Sequence, residues 1–203
     1  MPRVVGQCSS SERRLRAAGS HRTLQNFSLG DPTLTGWTIT TASVLVLTNG
    51  YSEGALEFDS HSGNQHLDLT GSGNTGVRSI SQHVATASSS SYLLSFSVGN
   101  QDDTNGNYPL PSTLNLYVNG SFVSAYSNPD DTAGNLNWKQ FQYIFVANSA
   151  LTKIRFENAT TLPDNMLGLD GVSLDLANAP VPEPGSMVLL SIGLVGLAAW
   201  RRR

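Results

Sequence analysis

The chain reads as an all-β protein of two packed antiparallel sheets, followed by a single C-terminal hydrophobic helix. Three observations predict this. Short apolar or alternating runs recur between clusters of Gly, Asn, Ser and Asp, the spacing of a sandwich or barrel. No stretch before Ser186 sustains a helical period for three turns. An uncharged run from Met187 to Trp200 then closes the chain, just ahead of Arg201, Arg202 and Arg203.

The expected strands follow in order. Trp37 to Thr40, Val44 to Leu47, His66 to Leu69 and Val77 to Val84 come first. Ser91 to Val98, Thr113 to Val118 and Phe122 to Tyr126 are next, then Trp138 to Val146, Leu151 to Glu157 and Gly171 to Leu174. Side chains alternate across a strand, so Leu94, Phe96 and Val98 mark one core-facing row. Leu114, Leu116 and Val118 mark a second, and Ile154 with Phe156 a third. Asn119-Gly120 is a two-residue hairpin turn, because both positions tolerate positive φ. Trp37 and Trp138 lie at strand starts and are expected to plug the core. Tyr51 and Tyr108 sit in loops and are the better candidates for exposed contacts.

Charge divides the chain. It carries 12 basic and 15 acidic residues, a net of −3. Arg3, Arg13, Arg14, Arg16, Arg22 and Arg201 to Arg203 supply eight of the twelve positive charges. Between Leu24 and Leu176 only Arg78, Lys139, Lys153 and Arg155 face thirteen acids, a balance of −9. Such a body repels nucleic acid, so a DNA or RNA partner is not expected. The lone Cys8 leaves the body without a thiol or disulfide. The expected organisation is a leader at 1–23, a β-sandwich at 24–176, a Pro-rich linker at 177–185 and a hydrophobic helix with basic tail at 186–203.

Val181, Pro182, Glu183 and Pro184 form a stiff, extended display segment, since proline fixes its own φ and biases the residue before it. The run that follows is built from Met187, Val188, Leu189, Leu190, Ile192, Leu194, Val195, Leu197 and Trp200, with small residues between them. Its 14 residues would span about 21 Å as a helix, against a hydrocarbon core of about 30 Å. That is short for a permanent span, and insertion would carry some mismatch. Arg201, Arg202 and Arg203 make a basic stop favouring the cytoplasmic side. These elements, in this order over Val181 to Arg203, resemble the PEP-CTERM sorting signal of Gram-negative bacteria, also labelled an ice-binding-protein C-terminal domain. The resemblance implies export, recognition by an exosortase-type processing enzyme and transient anchoring in the inner membrane. Display at the cell surface or in the extracellular matrix, often alongside exopolysaccharide, would follow. Met1 to Arg22 offers no apolar signal-peptide core. A misassigned start, a lost signal or a disordered tail are the alternatives, and the first is favoured.

A second resemblance spans Asn26 to Leu174. Asn26-Phe27, Gly36-Trp37, Leu67-Asp68-Leu69, Ser79-Ile80-Ser81-Gln82, Tyr92 to Phe96, Trp138, Phe145-Val146-Ala147 and Leu169 to Leu174 occur in the order of the galactose-binding-like jelly rolls. The similarity is strongest to the DUF642-type extracellular domains. It implies a jelly-roll winding, carbohydrate or exopolysaccharide as a partner, and a structural calcium as the one cofactor to expect. Two departures bear on that calcium. Phe27 is followed by Ser28-Leu29 rather than an acid, and Asp170 by Gly171 rather than a second Asp. Asp31 and Asp170 remain as oxygen donors, with backbone carbonyls completing any shell.

Candidate catalytic groups are sparse. Asp102-Asp103, Asp130-Asp131 and the cluster Glu53, Glu57 and Asp59 could serve glycosidase chemistry or bind calcium, but they also suit solvated turns. His61 and His66, five apart, lack metal-ligand spacing and are expected at the surface. Ser88 to Ser91 has no Gly-x-Ser-x-Gly context. Ice adhesion would need a regular threonine face, and Thr38, Thr40 and Thr41 do not make one. The expected function is that of an exported, noncatalytic surface or matrix protein whose sandwich binds carbohydrate. The alternative is a glycan-active enzyme using acidic loop residues.

Overall fold

The computed structural model describes residues 25–27, 34, 36–41, 43–71, 77–101, 108, 111–130, 134–160 and 165–177. Thirteen strands run in chain order: β1 (Gln25–Phe27), β2 (Thr38–Thr41), β3 (Val44–Thr48), β4 (Ser52–Glu53), β5 (Leu56–Glu57), β6 (Gln65–Asp68) and β7 (Ser79–Ala85). Then come β8 (Ser91–Asn100), β9 (Ser112–Val118), β10 (Ser121–Asn128), β11 (Asn137–Val146), β12 (Leu151–Asn158) and β13 (Leu167–Leu176). No helix occurs among the described residues. The leader, Asp31, Asp102, Asp103, Asp131, the sorting motif, the apolar run and the arginine stop lie outside the described residues.

Two antiparallel sheets face each other. One has six strands in the order β1-β3-β6-β13-β8-β11, the other five in the order β10-β9-β12-β7-β2. From β6 onward the chain changes sheets at every connection except the β9–β10 hairpin, a jelly-roll winding. All ten expected strands are present, each within a few residues of its expected limits. The short β1, β4 and β5 carry too few alternating positions to register as periodic. The largest difference is in β13, which begins at Leu167, four residues before the expected Gly171. Gly171, expected as the first residue of the strand, sits inside it at a bulge, at φ 60° between Asp170 and Ser173.

The core fills the gap between the sheets. Leu94, Phe96 and Val98 from one side meet Leu114, Leu116, Ile154 and Phe156 from the other, with Trp37 near Phe156 (ring centroids 5.9 Å apart). Asn119 and Gly120 adopt φ 51° and 85°, the two positive values that a type I′ turn needs.

The sandwich has two unlike poles. At one, the β7–β8 connection, the β9–β10 turn, the β11–β12 connection and the end of β13 are tied together. Thr86 N donates to Ala150 O (3.0 Å), Asn119 N to Lys153 O (2.8 Å), Ala147 N to Ser90 O (2.9 Å) and Ala177 N to Ser91 O (2.9 Å). At the other, buried amides bridge the sheets. Asn128 of β10 donates through Nδ2 to Val98 O and Asn137 O, both at 2.9 Å. Asn100 of β8 donates to Asp130 O (2.7 Å) and accepts from Ser112 N (3.1 Å).

Candidate functional site

The outer face of the six-stranded sheet is built by a long loop. Residues 49–64 leave β3 and fold back over that face, with β4 and β5 forming a small hairpin around Gly54 at φ 63°. Leu45 and Leu47 of β3 point outward, opposite to Val44 and Val46. They receive Phe58, Leu136 and Met166 in a second apolar cluster, against which Tyr51, Leu56, Tyr108 and Trp138 pack. This patch needs its loop cover, because a bare apolar sheet face in water is costly.

At its rim stands one exposed carboxylate. Tyr51 donates its hydroxyl to Glu53 Oε1 and Tyr108 to Glu53 Oε2, each at 2.5 Å. The two rings flank Phe58, at centroid distances of 5.6 and 6.0 Å. Burial, with the neighbouring Glu53 charge adding to it, pushes the Tyr51 hydroxyl up to about 12. The same causes raise Tyr108. Both phenols therefore stay protonated and donating at neutral pH. A carboxylate offers roughly four acceptor positions, so two remain for a ligand's hydroxyls.

Trp138 closes the other side. Its indole lies across the sheet where Gly99 and Gly168 leave room. A Cβ on Gly168 would stand 2.8 Å from Cη2, and one on Gly99 3.0 Å. Its Nε1 donates to Asp59 O (2.9 Å), fixing the ring to the loop. His66 meets it edge-on at 5.3 Å and His61 at 6.0 Å. The expectation that Trp138 plugs the inter-sheet core is thus corrected. Glycines open the outward side at Trp138's row, and the ring belongs to the outer cluster. Trp37 occupies the main core as expected.

His66 is also corrected from surface to interior. It is 0% exposed, because loop 58–64 folds over β6, whereas His61 stays exposed as expected. Its Nδ1 lies 3.3 Å from Ser60 Oγ, and burial pushes its pKa down to about 3. Asp170 is buried beside it in the sheet. Its Oδ2 accepts Ser62 N (2.8 Å) and its Oδ1 accepts Gly171 N (2.6 Å), which pins the loop to β13. Among the described residues, no three His, Cys, Asp or Glu side chains group as a metal site.

The structure therefore brings Tyr51, Glu53, Asp59, Tyr108 and Trp138 onto one face, from positions spread over 88 residues of chain. Glu57 is exposed on the same hairpin. Asp130 lies at the sheet-bridging pole, its backbone N–H bound by Asn128 Oδ1 at 3.2 Å. Sequence reasoning missed the Asn100–Ser112 and Asn128 bridges, whose only signal is an amide or hydroxyl at the end of a strand.

The sequence profile described as "Protein of unknown function (DUF642)" matches residues 16–174, and the profile of the PEP-CTERM protein-sorting motif matches residues 180–203. No curated protein matches the chain. Among solved structures, a Stig cyclase, Fisc, from Fischerella sp. TAU is 15% identical, with a TM-score of 0.49 over 75% of this chain and 89% of that one. The CBM22-1 xylan-binding domain of Paenibacillus barcinonensis Xyn10C is 17% identical, with a TM-score of 0.47 over 80% and 99%. TmCBM61, solved with β-1,4-galactotriose, is 17% identical, with a TM-score of 0.45 over 70% and 88%.

Proposed function

The chain belongs to the DUF642 family and ends in a PEP-CTERM protein-sorting motif, and from that premise we propose a displayed carbohydrate-binding protein. It is exported, processed by an exosortase-type enzyme after transient inner-membrane anchoring, and retained at the cell surface or in the matrix. There the sandwich binds a polysaccharide without turning it over. The observation that carries the binding reading is the Tyr51–Glu53–Tyr108 arrangement on the same outer face as Trp138. Two phenols hold one exposed carboxylate with acceptor capacity to spare, next to aromatic rings that suit the apolar C–H face of a sugar. The nearby Glu57 and Asp59 make this surface acidic, so the favoured ligand is a neutral glycan rather than a uronic-acid polymer. Asp170 remains the one described residue of the suggested calcium pair. Both its oxygens already accept backbone N–H groups, so a calcium there would draw on carbonyls as well.

Calorimetric titration of the purified chain against neutral and anionic polysaccharides, with calcium or with chelator, tests this reading. Neutral glycans should bind, and Glu53→Gln or Tyr108→Phe should weaken binding about tenfold, equivalent to ~1.4 kcal/mol. A panel that shows no binding, or binding untouched by both substitutions, sinks the assignment. Turnover of a glycan that Asp103→Asn or Asp131→Asn abolishes would move the protein to the enzyme class.

A further inference from the structure

The exposed large apolar side chains are not scattered. Among the described residues they are Val77, Phe122, Ile144, Val146, Leu151 and Leu176, each 54 to 65% exposed. All but Val77 lie at or near one pole. Phe122 follows the β9–β10 turn, Ile144 and Val146 end β11, Leu151 opens β12 and Leu176 ends β13. Together they form a collar. Phe122 pairs with the outward Tyr117 of the five-stranded sheet, their rings 5.6 Å apart, while Ile144 and Val146 stand on the outer face of the six-stranded sheet. The connections inside the collar, 85–91, 119–121 and 147–150, contain no charged residue. The charges nearest it are Lys153, paired across strands with His83, and Asp175 of β13. By contrast, loop 49–64 carries Glu53, Glu57 and Asp59, and Asp130 lies at the opposite pole.

The described chain also ends at this pole, where Ala177 is bonded to Ser91, the register partner of Val146. From there nine residues, 178–186, precede the apolar run that starts at Met187. Fully extended, they reach about 30 Å at most. Whenever that run is held in a bilayer, Ala177 at the edge of the collar is kept within about this distance of the lipid.

From these observations we propose that the collar pole is a membrane-docking surface. Its apolar side chains rest in the lipid interface while the C-terminal segment is held, and the opposite pole and the loop 49–64 face project away. This rests on the reading of the tail as a membrane-held sorting segment. An uncharged rim of aliphatic and aromatic side chains suits the boundary between headgroups and acyl chains, where peripheral elements bury to about 5–10 Å. Docking would fix the orientation of the glycan face and settle the body at the membrane before the tail is cut.

The body holds no cysteine, so with Cys8→Ser a single label can be placed at will. The full-length chain is reconstituted into phosphatidylethanolamine–phosphatidylglycerol vesicles with brominated acyl chains, carrying an environment-sensitive fluorophore on Ser88→Cys or on Ala55→Cys. The expected result is a blue shift and bromine quenching at position 88 and neither at position 55. Replacing Phe122, Ile144, Val146 and Leu151 together by Ser should abolish the quenching, while the chain still resists alkaline extraction. If the quadruple variant loses the parent circular-dichroism spectrum, Ala150→Glu, which introduces one charge inside the collar, should abolish the quenching instead. Resistance to extraction without quenching at position 88 overturns the docking surface and leaves the tail reading intact. Quenching that survives a folded variant overturns the collar's role. A chain that washes off the vesicles removes the tail reading, and the proposal with it.

Discussion

At the scale of single residues, Trp138 and the groups around it set the character of the outer face. Gly99 and Gly168 are there for space. Gly168→Ala would place a methyl 2.8 Å from the indole. It should cost about 1–3 kcal/mol as overpacking does, read by urea denaturation with Trp fluorescence. An unchanged midpoint would mean that the ring is free to move aside. Two buried ionisable groups give opposite pH slopes. His66 takes a proton near 6.5 when unfolded but only near 3 when folded, so its contribution is whole above about 6.5 and is lost as pH falls toward 3. Asp68 is pushed by burial from 3.8 up to about 6, against the opposing N–H groups of Thr70 and Gly71 and the charge of Arg78. Its contribution is whole below about 3.8 and is lost as pH rises through 6. Between about pH 4 and 6 the two oppose each other, each at up to ~1.4 kcal/mol per pH unit. Asp68→Asn should therefore steepen the loss of stability on acidification from pH 6 to 4, and equal slopes in the two proteins would refute the pairing. None of this was legible in the sequence. His66 and His61 look alike there, and only the fold of loop 58–64 over β6 buries one and leaves the other in water.

At the scale of elements, strands with sustained alternation were readable, and their limits depended on features that local sequence reports poorly. The β9–β10 hairpin was readable because its turn chemistry is local. Gly120 sits at φ 85° with nothing within 4 Å of an added Cβ, so Gly120→Ala isolates backbone strain from any clash. A loss of about 1–2 kcal/mol in a thermal or urea melt is expected, the left-handed cost for an L-residue. Asn119 does more than turn the chain. Its Oδ1 accepts Lys153 N at 2.9 Å and its Nδ2 donates to Asn148 Oδ1 at 3.2 Å, joining the hairpin to β12 and its connection. The sheet-bridging Asn128 was not legible, because a lone Asn at a strand end reads as turn punctuation. Its fully buried amide satisfies Val98 O and Asn137 O across the sandwich. Asn128→Ala leaves both carbonyls without it and should cost about 1–3 kcal/mol. A melt superimposable on the parent would show those carbonyls satisfied another way.

At the scale of the whole molecule, the sandwich separates its chemistry between two poles and one face. Glu53, Glu57 and Asp59 gather on the loop 49–64 face, and the uncharged apolar collar gathers beside Ala177. With no disulfide available, the inter-sheet core carries the body's stability. The segment 24–177 is accordingly expected to fold alone, with a cooperative thermal transition unaffected by reductant; a broad, non-cooperative melt would refute this. The sequence by itself determined the strand count to within the three shortest, the core rows, the hairpin and the sorting tail. Each of these is written in neighbouring residues, as a period of two, a turn dipeptide or a contiguous motif. Only the tertiary structure decided that Tyr51, Glu53 and Tyr108 meet, that Trp138 faces outward, that His66 is buried and that the exposed apolar residues share a pole. Those facts depend on which strands become neighbours, and strand pairing joins positions far apart in a chain whose local pattern is the same whichever partner is chosen.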